Sequence, residues 1–159
     1  MKNLVFVLAL ISASYYVYTN HSPFQTEETD PHFIEVRYSI ENTNVKLVGF
    51  GKMLSKGDCL ARSAIFWRNV FKHAGKVDIA DTETECTKSM PKRYRKLFKN
   101  KPVTACYLVL NKGSNRERDA RFIFFGVPSS VVIKECDKII QIVRKNYRGE
   151  VYCVKGTIG

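Results

Sequence analysis

Residues 120–154 read ARFIFFGVPSSVVIKECDKIIQIVRKNYRGEVYCV. The apolar and aromatic run from Ala120 to Val127 predicts a strand. Pro128, Ser129 and Ser130 open a helix expected to reach about Arg148. Ile133, Cys136, Ile140, Val143 and Tyr147 recur at intervals of 3, 4, 3 and 4, which places them on one helical face. Arg144, Lys145 and Arg148 put positive charge in the last turn, Gly149 is a natural stop, and Glu150 to Val154 reads as a returning strand. Cys136 lies about 20 Å back along the helix from Gly149, at ~1.5 Å per residue. Cys153 lies about 13 Å forward along the strand, at ~3.3 Å per residue. An antiparallel return brings the two thiols to within about one helical turn of level and predicts a Cys136–Cys153 disulfide.

A similar unit stands upstream. Phe50-Gly51 precedes a helix-like segment that holds Cys59 and stops at Gly75, with Cys86 beyond it; Phe125-Gly126 precedes the segment that holds Cys136 and stops at Gly149. The two glycine-to-glycine intervals are 24 and 23 residues. Such self-similarity marks one supersecondary unit used twice. Ser55 and Asp58 form a capping box for the first helix, expected over 57–74 with Leu60, Ala64, Trp67, Phe71 and Ala74 on one face. Phe33 to Ile40 and Val45 to Met53 read as a hairpin, and Val103 to Leu110 as a further strand. Val77 to Ile79 starts a strand that the acidic run Asp81 to Glu85 patterns only weakly. The predicted fold is therefore α+β. Two β-β-α-(β) repeats build an antiparallel sheet with two helices packed on one face, preceded by an N-terminal export or anchor segment. Cys59–Cys86 is the analogous disulfide, and Cys106 is left as a buried strand thiol.

At 159 residues with 45% hydrophobic side chains, the chain has one domain's worth of core, which excludes global disorder. Lys2 before the uncharged run Leu4 to Tyr18 has the form of an export signal. Two readings of residues 1–18 stand open: a cleaved signal peptide, or a retained single transmembrane anchor with Tyr15, Tyr16 and Tyr18 at the interface. Residues 19–32 read as a linker and 33–159 as one disulfide-containing domain. Either reading places the domain outside the cytoplasm, periplasmic or extracellular, where widely spaced cysteines pair.

The formal charge of +11 favours anionic partners. It concentrates in Lys88, Lys92, Arg93, Arg95, Lys96, Lys99 and Lys101, seven cations in fourteen residues, with Tyr94, Leu97 and Phe98 interleaved. Lys112, Arg116, Arg118 and Arg121 are positioned to extend that patch. No nucleophile elbow, phosphate loop, C-x-x-C or metal-ligand spacing is present, so no cofactor, metal or catalytic residue is expected. His73 stands fourteen residues from Cys59 on the same predicted helix, about 21 Å away, too far for a Cys-His pair. The expected function is a non-catalytic binding or scaffolding module at the cell envelope. Its partner would be an anionic polymer, a lipid surface or a protein. The alternative is an extracytoplasmic nucleic-acid binder without sequence preference, recognised by steep salt dependence.

Overall fold

Alternation of apolar and polar residues sets the first strand of the computed structural model, which describes residues 28, 30–40, 44–63, 79–145 and 147–157. Strand β1 (His32–Ile40) sends Ile34 and Val36 to one face and Phe33, Glu35 and Arg37 to the other. It pairs with β2 (Lys46–Met53); helix α1 opens at 56 and is described as far as 63. Strand β3 (Ile79–Thr87) returns beside β1. A 3-10 turn (Lys92–Tyr94) then leads into the one-turn helix α2 (Arg95–Phe98). Strands β4 (Cys106–Asn111) and β5 (Ala120–Phe125), helix α3 (Ser129–Arg144) and β6 (Glu150–Val154) complete the chain. The six strands form one antiparallel sheet in the order β3-β1-β2-β5-β4-β6. The predicted export segment, and Trp67, Phe71, Ala74 and the Gly75 stop of the first helix, lie outside the described residues. No helix among the described residues is long and apolar enough to cross a membrane.

The α+β class and the antiparallel sheet agree with the sequence reading. On the first face, Ile34, Val36, Leu47, Leu108, Phe122 and Phe124 meet Cys59 of α1 and Val132, Cys136, Ile139 and Val143 of α3. Gly49 makes room there, because a Cβ would stand 3.1 Å from the Phe122 ring. The α3 stripe is rotated from the expected one. Val132, Cys136, Ile139 and Val143 face the sheet, whereas Ile133 is 38% exposed. Val132-Ile133 and Ile139-Ile140 offer two apolar stripes sharing Cys136 and Val143, and periodicity alone does not choose between them. Leu60 is likewise 54% exposed, while Asp58, Cys59 and Arg62 turn inward. The expected cap on α1 forms: the Asp58 N–H donates to Ser55 Oγ at 3.2 Å, and the Asp58 carboxylate accepts from the Leu54 N–H.

Phe50-Gly51 lies inside β2 with Phe50 fully buried, whereas Phe125 ends β5 half-exposed and Gly126 forms the turn beyond it. Gly126 sits at φ 71°, where a side chain would collide with the Asn44 carbonyl. The disulfides are Cys59–Cys86 and Cys136–Cys153, with Cα separations of 6.2 and 6.3 Å. Each joins a helix to an edge strand of the sheet, β3 in one case and β6 in the other.

The opposite face is also covered. Phe33, Val48, Phe50, Tyr107, Val109 and Ile123 form a second core under Tyr94 and Leu97 of the basic segment. Helical structure thus lies against both faces of the sheet rather than one.

Candidate functional site

The segment from Lys88 to Lys101 is amphipathic over a single short turn. Tyr94 and Leu97 are buried and Phe98 half-buried, while Lys88, Lys92, Arg93, Arg95, Lys96, Lys99 and Lys101 are all exposed. Tyr94 stacks on Phe50 at 4.2 Å between centroids, and Phe98 meets the same ring edge-on at 5.4 Å. Asn100, at φ 54°, ends the helix: its N–H donates to Leu97 O, and the Lys101 N–H donates to Lys96 O. Lys88 pairs with Asp30 at 3.4 Å and Arg93 with Glu35 at 2.7 Å. The other five cations have no ion-pair partner among the described residues.

Two buried charges of the sheet hold this segment. Arg121, 2% exposed, donates five hydrogen bonds: to Leu97 O, Leu110 O, Ala120 O and the side-chain oxygens of Asn100 and Asn111. Its guanidinium also lies 4.8 Å from the Phe98 ring centroid. Burial lowers its pKa. Glu35 accepts from Arg93 (2.9 and 2.7 Å), from the Tyr94 hydroxyl (2.5 Å) and from Arg37. Burial pushes the Glu35 pKa up, but the hydrogen bonds from Tyr94, Arg93 and Arg37 outweigh it and hold the carboxyl below its ordinary value. Burial and the same carboxylate raise Tyr94 to about 12. Tyr94→Phe is expected to lower the unfolding free energy by about 1–2 kcal/mol, read as a shift of the urea midpoint at constant slope.

Arg118 and Arg121, expected to extend the basic patch, do not. Both are buried, and only Lys112 and Arg116 of that group are exposed. Arg118 Nε donates to Asp58 Oδ2 at 2.7 Å, and Arg62 Nε donates to Asp58 Oδ1 at 2.9 Å. The 112–119 turn is therefore a structural hub. Glu117 accepts from the Gly113 and Arg148 N–H groups, and the Tyr147 hydroxyl donates to Arg118 O.

Where the basic segment stops short, the same sheet face opens into a groove of about 440 Å³. Val48, Tyr94 and Phe125 give it apolar walls, and Arg37, Lys46, Arg93 and Glu83 carry its charges. Arg37 and Arg93 both bond Glu35, which fixes them beside one another. Sequence reading found Arg93 and missed the rest. The available signal was Glu35 and Arg37 on the same strand face as Phe33, a charged pair where alternation calls for apolar residues.

Cys106 is buried, and its sulfur accepts from the Gly156 N–H at 3.2 Å. His32, expected in the linker, is the first residue of β1; its ring nitrogen lies 2.9 Å from Asp30 O. His73 lies outside the described residues. No three His, Cys, Asp or Glu side chains converge as a metal site among the described residues. No family model, curated protein or solved structure matches the chain.

Proposed function

We propose that the protein is a non-catalytic binding or scaffolding module, exported to the cell envelope, that contacts an anionic partner through Lys88–Lys101. The carrying observation is that all seven cations are exposed on a segment whose apolar side is locked to the sheet, with only Arg93 turned back to a sheet carboxylate. Fixing the backbone in advance cuts the ordering cost that a flexible basic tail would incur on binding. An anionic envelope polymer, a lipid surface and an acidic protein face all fit this display. The two disulfides favour the extracytoplasmic placement, with residues 1–18 serving as its signal or anchor. The strand orders β3-β1-β2 and β6-β4-β5, each unit closed by its own disulfide, support reading the fold as two β-β-α-β repeats joined at β2 and β5.

Nucleic acid is the less favoured partner. Single-strand binders offer aromatic rings to bases, and here Tyr94 is buried against Phe50. The test is cosedimentation with phosphatidylglycerol vesicles, and titration with dextran sulfate and with single-stranded DNA, across a salt series. A variant carrying Lys92→Gln, Arg95→Gln, Lys96→Gln and Lys99→Gln is expected to bind the preferred polyanion about 10²–10³-fold more weakly at low salt. Unchanged binding by that variant sinks the reading. DNA as the tightest ligand of the three would replace it with the nucleic-acid alternative.

A further inference from the structure

We propose that the groove beside Arg93 is a separate binding site for a small phosphodiester bearing an apolar or aromatic arm. The site goes beyond the polyanion reading, because Arg37, Lys46, Val48 and Phe125 lie on β1, β2 and β5 and only Arg93 and Tyr94 are shared with the basic segment.

The register builds it. Arg37 lies opposite Val48 across β1 and β2, and Lys46 opposite Phe125 across β2 and β5. Two neighbouring rows of the sheet therefore each set a cation beside an apolar side chain on a single face. The basic segment seals the neighbouring part of that face over Phe50 and leaves this part open. Phe125 is 41% exposed, an unusual position for a large apolar ring in a strand whose other five residues are buried.

The charges select the ligand. Glu35 lies beneath the groove with its side chain 6% exposed and holds the guanidiniums of both Arg37 and Arg93. Each guanidinium has five N–H donors, more than Glu35, Glu83 and Tyr94 engage, so donors remain to meet a ligand. Arg37 also has Glu83 at 3.6 Å, while Lys46 has no ion-pair partner among the described residues. Three cations against Glu35 and Glu83 leave one net positive charge at the groove. A monoanion matches that excess, whereas a phosphate monoester dianion overcompensates it. The forked guanidiniums suit the two free oxygens of a phosphodiester, and the Phe125 and Val48 surfaces suit an apolar ester arm. A volume of about 440 Å³ has room for a phosphate with one or two such arms.

The test is calorimetric titration of the full chain with diphenyl phosphate, with dimethyl phosphate and inorganic phosphate as charge-only probes. Diphenyl phosphate is expected to bind at one site, and dimethyl phosphate at least about tenfold more weakly for want of the apolar contact. Lys46→Met and Phe125→Ala, both at exposed positions, should each weaken diphenyl phosphate about tenfold or more. Circular dichroism and thermal melts of both variants verify their folding. The quadruple glutamine variant of the basic segment should retain this binding, which separates failure of the groove from failure of the polyanion reading. Loss of binding in the quadruple variant with full binding in Lys46→Met and Phe125→Ala overturns the proposal. Absence of saturable binding by the unaltered protein at millimolar probe does so as well.

Discussion

Asp58→Ala is expected to cost about 3–5 kcal/mol of folding stability, because it breaks a buried cluster of three charges from one side. The Asp58, Arg62 and Arg118 side chains are each at most 1% exposed, and one carboxylate serves both guanidiniums. Removing it leaves two buried cations facing each other with their counter-charge gone. It also strips the acceptor from the Leu54 N–H at the start of α1. The cluster already carries one unmet donor: Arg118 Nη2 is buried with no hydrogen-bond partner among the described residues. Asp58→Asn keeps the shape and loses the charge, so it should fall between the wild type and alanine in urea midpoint. The same carboxyl sets an acid limit. Burial raises its pKa, but hydrogen bonds from Arg118 and the charge of Arg62 outweigh that, and the folded value lies below the ordinary 3.8. A group depressed on folding contributes stability that is present above its unfolded pKa and lost as pH falls through the folded one. Unfolding free energy should therefore decline steadily below about pH 4, with Glu35 contributing in the same direction. A flatter acid limb in Asp58→Asn is the signature to look for; an identical limb would assign the acid sensitivity elsewhere.

Reduction of the two disulfides is the second large effect. The bonds span 27 and 17 residues, and loop-closure entropy assigns each about 3–4 kcal/mol. The two losses should differ in kind. Edge strand β6 buries Val151 in the main core and keeps that hold when Cys136–Cys153 is cut. Edge strand β3 has exposed Glu83 and Glu85 and a partly buried Cys86, and it pairs only with β1. Replacing Cys59 and Cys86 by serine should release β3 locally, seen as fast amide exchange over residues 83–87, before the rest of the sheet loosens. Replacing Cys136 and Cys153 should lower global stability with β6 protection following the whole domain. Peptide-mapped mass spectrometry without reductant checks the pairing directly; five free thiols would contradict it. Cys106 should resist alkylation until the protein unfolds, since it is 2% exposed.

Strands that bury a face were legible. Glu150–Val154 coincides with the predicted closing strand, and Ala120–Phe125 with all but the end of its prediction. β3 was visible only at its first residue, because an edge strand with exposed acidic side chains carries no apolar alternation to read. Cys136–Cys153 was legible because helix rise and strand rise are fixed, so chain distance converts to space, and Cys59–Cys86 followed from it by analogy between the two units. Charge was half legible. Seven exposed cations stood out as a run, but Arg118 and Arg121 look identical in sequence and are buried. What separates them is a distant partner, Asp58 in one case and the carbonyls and amides around Leu97 in the other. Arg37, Lys46 and Phe125 meet through strand pairing across some eighty residues, and local pattern does not report such meetings.

The central pairing of β2 with β5 has a temporal counterpart. The β1–β2 and β4–β5 hairpins close within short chain segments, whereas β2 and β5 meet only when residues about seventy or more apart find one another. Contacts of such long range form slowly. Both cystines lie within a half and neither crosses the joint. A chain emerging N-terminus first can therefore oxidise Cys59 with Cys86 before β4 exists. The first mispairing hazard then comes from Cys106, the next thiol to appear. Pairing of β4 with β5, which sets Cys106 opposite Phe124, can withdraw that thiol before Cys153 emerges, and the Gly156 amide covers it last.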